Sequence, residues 1–161
     1  MFGPDHFAVR LIDVSLDELD AAGVRGLILD LDNTLVAFRT SELEEACVAW
    51  IESARRRGFS MVMLSNNFSQ RVNDIATRLD IPCVPNALKP LPFGFLRALR
   101  TLALPRAAVA VVGDQLFTDV LGGKLCGLRT ILTEPIEAAE FPLTRVFRFL
   151  ERLVLPQRRP L

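Results

Sequence analysis

The stretch GLILDLDNTLV, residues 26–36, runs an apolar strand straight into Asp30 and Asp32, with one leucine between the two acids. Residues 24–31, VRGLILDL, are apolar on both faces. That is the pattern of a central strand in a parallel sheet, covered on both sides. Carboxylates closing such a strand are costly unless something pairs with them. Either the strand ends there and both acids are solvated, or the pair holds a cation and does chemistry.

The segments around this strand alternate in type. Ser15 with Glu18 three residues on reads as a capping box that opens a short helix, and Gly23 stops it. Residues 41–58 place Leu43, Ala46, Cys47, Trp50, Ile51 and Ala54 at three-and-four spacing, a helix closed by Gly58. Residues 59–67, FSMVMLSNN, read as a second buried strand, and 69–81 as a helix with Val72, Ile75, Ala76 and Leu79 on one face. A short strand or loop (82–90), a helix (93–104), a strand (107–114), a short helix (117–127) and a last strand (128–135) follow. Strands alternating with helices predict an α/β fold, a Rossmann-like parallel sheet with helices on both faces. In such sheets ligands sit beyond the carboxyl ends of the strands. The polar clusters fall there: Asp30 and Asp32 end one strand, Ser65, Asn66 and Asn67 another, Gly113 and Asp114 a third, and Lys89 lies in an intervening loop.

Composition narrows the class. A chain of 161 residues, half of them hydrophobic and 24% charged, suggests one domain with a full core. Lys plus Arg equals Asp plus Glu, 19 against 19, which argues against a nucleic-acid binder. Cys47, Cys83 and Cys126 are odd in number and far apart, so neither a zinc site nor a disulfide framework is indicated, and a reducing cytoplasm fits best. The N-terminus lacks the pattern of a signal peptide, and no apolar run approaches the ~20 residues of a membrane span.

As a site, these residues offer clustered carboxylates, a lysine and small hydroxyl or amide groups. Clustered carboxylates repel, and a hard cation with oxygen ligands relieves them. Magnesium takes few protein carboxylates plus substrate phosphate, and Asp30 and Asp114 are candidate ligands. Lys89 neutralises another anion, most simply a phosphoryl group, and Ser65 can donate to a phosphate oxygen. Asp30 is then the candidate nucleophile and Asp32 the acid/base, both reached from one strand end.

The motifs resemble those of the haloacid dehalogenase (HAD) superfamily. DLDNTL resembles its D-x-D-x-T signature, LSNN its second motif, LKP its lysine motif, and GDQLFTD its fourth, all in order between Leu29 and Asp119. The wording LDLDNTLV, SNN, KP and VVGDQLFTDVLGG looks most like the YqeG-like subclass III phosphatases. The resemblance implies a phosphatase with Asp30 as nucleophile and Asp32 as acid/base. It implies Ser65 and Lys89 as phosphate binders; Thr34 and Asn66 are further candidates at the substrate, and Asn66 and Asn67 shape the loop after the second motif. It implies Asp30, the Asp32 backbone carbonyl and Asp114 as Mg2+ ligands, with Asp119 supporting them.

Neither gap between the early motifs is long enough for a cap domain, so the expectation is a HAD core without one, spanning 1–161. Residues 1–24 are read as an N-terminal helical extension and 143–155 as a C-terminal amphipathic helix. The latter carries an apolar stripe among Arg145, Arg148 and Arg152, and either packs on the sheet or lies on a membrane. The expected function is a magnesium-dependent phosphomonoesterase working through an aspartyl-phosphate. Its candidate substrates are a lipid such as phosphatidylglycerophosphate or a soluble phosphate ester enclosed by a homo-oligomer. The rival is a non-catalytic module that keeps the fold and only binds metal or phosphate. The expected location is cytoplasmic, free or peripheral at a membrane, with no nucleic acid bound.

Overall fold

The computed structural model describes residues 3–137. The expected helix at 143–155 lies outside them. The six strands are all parallel: β1 (His6–Ala8), β2 (Gly26–Asp30), β3 (Ser60–Leu64), β4 (Cys83–Val84), β5 (Val109–Gly113) and β6 (Arg129–Thr133). They lie in the order β1-β6-β5-β2-β3-β4. The helices are α1 (Leu16–Ala21), α2 (Glu45–Arg56), α3 (Gln70–Leu79), α4 (Pro92–Leu102) and α5 (Leu121–Leu125).

Alternation along the strands builds two apolar layers. Leu27 and Leu29 of β2, Met61 and Met63 of β3 and Val112 of β5 pack with α1, α2 and α3 on one face. Ile28, Val62 and Val111 pack with Phe95, Ala98 and Leu99 of α4 on the other. Each fully buried side chain of this size contributes about 1.5–3 kcal/mol. Trp50 of α2 keeps its indole satisfied while buried, donating to the Val14 carbonyl at 3.0 Å. Ser15 caps α1, its hydroxyl accepting the Glu18 N–H at 3.2 Å.

This topology positions the site. β2 and β5 are neighbours, but the chain leaves β2 toward α2 on one face and β5 toward the other. Adjacent connections that part this way open a crevice at the strand ends. The connections from β2 to β3 and from β3 to β4 hold an irregular flap with α2, and α3, and no inserted domain.

Three elements differ from the sequence reading. The N-terminal extension is not purely helical: His6–Ala8 forms an edge strand paired with β6, three half-buried residues too short to show a period. Helix α2 begins at Glu45 rather than Ser41, because Arg78 of α3 binds the Ser41 carbonyl at 2.7 Å and the backbone enters the helix from an extended Glu44. The segment expected as one short helix after β5 opens with a π-helical turn, Leu116–Val120, before α5. Single π turns commonly mark functional sites.

Candidate active site

Asp30 closes β2 with 7% exposure, and its carboxylate is held on both oxygens. Thr34 donates its hydroxyl to Oδ2 at 3.1 Å, and Lys89 donates Nζ to Oδ1 at 2.5 Å. Lys89 also donates to Oδ1 of Asp119 at 2.6 Å. The turn after β2 is tight enough for Thr34 to reach back, since Thr34, Leu35 and Val36 all donate their N–H groups to the Leu31 carbonyl. Asn33 makes this turn in the left-handed region, φ 63°, which asparagine tolerates better than most residues.

Asp114, fully buried, follows β5 directly, and Asp119 sits on the π turn. Asp119 folds back over the strand end, accepting the Gln115 N–H at 3.2 Å. Gly113 permits that approach, for a Cβ there would lie 2.3 Å from the Asp119 carboxylate. Gly122 likewise lets α5 sit against Phe95 of α4, where a Cβ would meet the ring at 2.3 Å.

Asp30, Asp114 and Asp119 thus bring carboxylate oxygens within 4.8 Å of one another. Burial, and then the charge of Asp119, raise the Asp30 pKa from 3.8 to about 6, against the opposing pull of Lys89 and Thr34. For Lys89, burial alone would lower the value, but Asp119 and Asp30 together hold it above its ordinary range. Lys89 is therefore a fixed cation shared by two acids, and Thr34 and Lys89 only partly offset the cost of ionising Asp30 beside Asp119. An all-oxygen set with surplus negative charge suits a hard divalent cation, so these residues fit magnesium chemically. Asp119, expected in a supporting role, lies within the cluster itself. The Asp32 side chain does not.

Asp32 faces another way. Both its oxygens accept from Nη2 of Arg71, at 2.8 and 3.0 Å, and Oδ1 also accepts the Arg39 N–H at 3.2 Å. Arg71 donates through Nη1 to the Thr40 carbonyl at 2.7 Å, joining α3 to the flap. The sequence reading missed Arg71. Its one signal is position: an arginine in the first turn of a helix opposes the helix dipole, so something else holds it there.

The remaining expected residues gather as well. Ser65 is buried at the end of β3, its hydroxyl accepting the Asn67 N–H at 3.1 Å. Asn66 clasps the Lys89 backbone, accepting its N–H at 2.7 Å and donating to its carbonyl at 3.3 Å. Through these contacts Asn66 grips the Lys89 backbone and Thr34 the Asp30 carboxylate, which keeps both of these candidate substrate residues beside the acid cluster. A cleft of about 470 Å³ between β1 and α1, lined by Ser15, Glu18 and Arg129 among others, contains none of these residues.

Comparison with known proteins identifies the family and the fold. The family model for haloacid dehalogenase-like hydrolases matches residues 39–127. The chain is 36% identical over 154 residues to "Probable phosphatase YqeG" of Bacillus subtilis (strain 168), covering 96% of this chain and 90% of that one. It is 26% identical to "Phosphatidylglycerophosphate phosphatase 1, chloroplastic/mitochondrial" of Arabidopsis thaliana, covering 93% of this chain and 46% of that longer protein. A haloacid dehalogenase-like hydrolase from Brucella suis 1330 shares the fold, with TM-score 0.61 at 12% identity over 78% of this chain and 88% of that one. The chain belongs to the haloacid dehalogenase-like hydrolases, as a phosphatase of that family.

Proposed function

We propose that this phosphatase is a magnesium-dependent phosphomonoesterase that works through an aspartyl-phosphate on Asp30. The observation that carries the reading is the Asp30 carboxylate, fixed between Thr34 and Lys89 at a strand end beside Asp114 and Asp119. An oxygen of Asp30 attacks phosphorus, the ester P–O bond breaks, and the leaving alcohol takes a proton from Asp32. Water then attacks the phosphorus of the acyl phosphate, gives its proton to Asp32, and releases inorganic phosphate and free Asp30. Lys89 faces the negative charge of the transferring group, and Ser65 can rotate its hydroxyl to donate to a phosphate oxygen. Asp30 and Asp114, with the Asp32 carbonyl and Asp119 alongside, would hold the Mg2+. When bound, the ion supplies charge neutralisation between the anionic nucleophile and the anionic ester.

In this reading Asp32 turns one oxygen to the leaving group while the other keeps its contact with Arg71, which orients the acid. The finer reading of substrate is a lipid phosphomonoester. The similarity to the Arabidopsis protein and the absence of an inserted domain over the strand ends support it, with phosphatidylglycerophosphate as the candidate and peripheral membrane contact as the setting. The test is a panel of phosphate esters, soluble and lipid, assayed with and without magnesium on wild type and Asp30→Asn. Hydrolysis that needs both magnesium and Asp30 supports the reading. A folded chain that binds magnesium and hydrolyses nothing is the non-catalytic module. Preference for soluble esters moves the substrate away from lipids and toward an enclosing homo-oligomer.

A further inference from the structure

Two loops beside Lys89 expose large apolar side chains: Phe68 (74% exposed) after β3, Leu88 (54%) and Leu91 (49%) on either side of Lys89, and Phe93 (63%) in the first turn of α4. The loops are tied together. Asn86 donates its N–H to the Asn67 carbonyl at 3.1 Å, and the Asn66 side chain grips the Lys89 backbone. Leu88 holds a left-handed backbone at φ 56°, an uncommon conformation for a leucine that returns no burial. Strain and exposure together point to a function outside the fold. Charge is missing as well. Residues 59–70 carry none, and between Asn86 and Leu96 the charged residue is Lys89, itself 8% exposed and bonded inward to Asp30 and Asp119.

We propose that Phe68, Leu88, Leu91 and Phe93 form an apolar rim that enters a lipid surface and brings the site to phosphomonoesters standing in that surface. This rests on the phosphomonoesterase reading of Asp30 and adds the surface that meets the membrane. Exposed apolar side chains in the two loops that carry Ser65 and Lys89 match an amphiphile, anionic at its phosphate and apolar below it. A second copy of this chain seated on the rim brings no ester to Lys89. A bilayer carries the ester in with it. Since the rim has no exposed charge, its attachment comes from apolar burial, and salt does not release it.

The experiment uses the full chain with phosphatidylcholine vesicles, with and without phosphatidic acid as the phosphomonoester. The variants are Phe68→Ser with Phe93→Gln, and separately Leu88→Asn, since asparagine accepts the left-handed backbone. Wild type should sediment with the neutral vesicles at high salt. Each variant should bind them about tenfold less well and release phosphate from vesicles about tenfold more slowly, with unchanged Tm and unchanged hydrolysis of p-nitrophenyl phosphate. Phe93→Trp should shift its emission to the blue when vesicles are added. Wild type that stays in the supernatant, or variants that bind as wild type does, overturn the proposal. So does a dimer on size exclusion that the variants dissociate, which would make the rim a contact between copies. The two readings fail separately. Vesicle binding through the rim without hydrolysis of any monoester removes the phosphatase reading alone, whereas p-nitrophenyl phosphate hydrolysis without vesicle binding removes the rim alone.

Discussion

Arg71 grips both oxygens of Asp32 from one guanidinium nitrogen, at 2.8 and 3.0 Å, while its other terminal nitrogen holds the Thr40 carbonyl. The partners are 39 residues apart, so the contact joins the first turn of α3 to the strand-end turn and the flap. Both side chains are mostly covered, at 16% and 21% exposure, so removing Arg71 leaves a covered carboxylate without its partner. Arg71→Ala should therefore slow turnover of alkyl phosphates, whose leaving oxygens need a proton, by about 10- to 100-fold. Loss on p-nitrophenyl phosphate should be smaller. Arg71→Lys should restore part of the rate, because an ammonium replaces the charge but not the planar fork. Equal losses along a leaving-group series would detach Arg71 from Asp32 chemistry.

The raised pKa of Asp30 sets the sign of a stability effect. In the metal-free protein folded Asp30 binds its proton more tightly than its ordinary value of 3.8 allows, up to about 6. Folding therefore takes up a proton in that window, and this residue's contribution to stability falls as pH rises through it. Above the window its penalty is complete. Metal-free Asp30→Asn should melt higher than wild type at about pH 8, with the difference closing toward about pH 4. Magnesium should raise the Tm of wild type more than that of the variant. Thermal scans across pH with chelator or magnesium check this, and a less stable metal-free variant at high pH would contradict it.

Much of this site can be read from the residues in order. The all-apolar strand ending at Asp30, the acids after β5 and the placement of Lys89 between them are local patterns, and periodicity places the helices that separate them. What escapes is long-range or conditional. Arg71 looks like any exposed helical arginine until α3 is seen beside the flap. Asn66 is a site candidate from the sequence, but its grip on the Lys89 backbone, 23 residues away, shows only in the fold. The π turn at Leu116–Val120, from which Asp119 reaches back over Gly113, has no local periodicity to mark it, and β1 is too short to carry a signal.

Asn66→Ala should loosen the Lys89 loop. The clasp consists of two partly buried hydrogen bonds, each worth about 1 kcal/mol net, so a Tm lower by several degrees is expected. KM for p-nitrophenyl phosphate should rise, since the lysine that faces the phosphate is no longer fixed. Asn66→Asp keeps the acceptor for the Lys89 N–H and loses the donor, so it should fall between the two. Unchanged KM in both variants would show that Lys89 is positioned without this clasp.

Gly113→Ala tests the packing of the acid cluster. Its Cβ would lie 2.3 Å from the Asp119 carboxylate, so that side chain has to move. Overpacking of this kind costs about 1–3 kcal/mol. The displaced acid should also weaken magnesium binding, read by titration calorimetry, in a protein that remains folded. Wild-type affinity would place Asp119 outside the metal site.

The central claim is that Asp30 takes the phosphoryl group. Acid quenching during turnover of a phosphate ester, followed by borohydride reduction, converts an aspartyl-phosphate to homoserine at the residue that carried it. Tryptic cleavage after Arg25 and Arg39 isolates residues 26–39, which contain both Asp30 and Asp32. Fragmentation of that peptide should place the homoserine at Asp30, with none in the Asp30→Asn protein. Homoserine at Asp32, or an unmodified peptide from an enzyme trapped in steady turnover, would contradict the account.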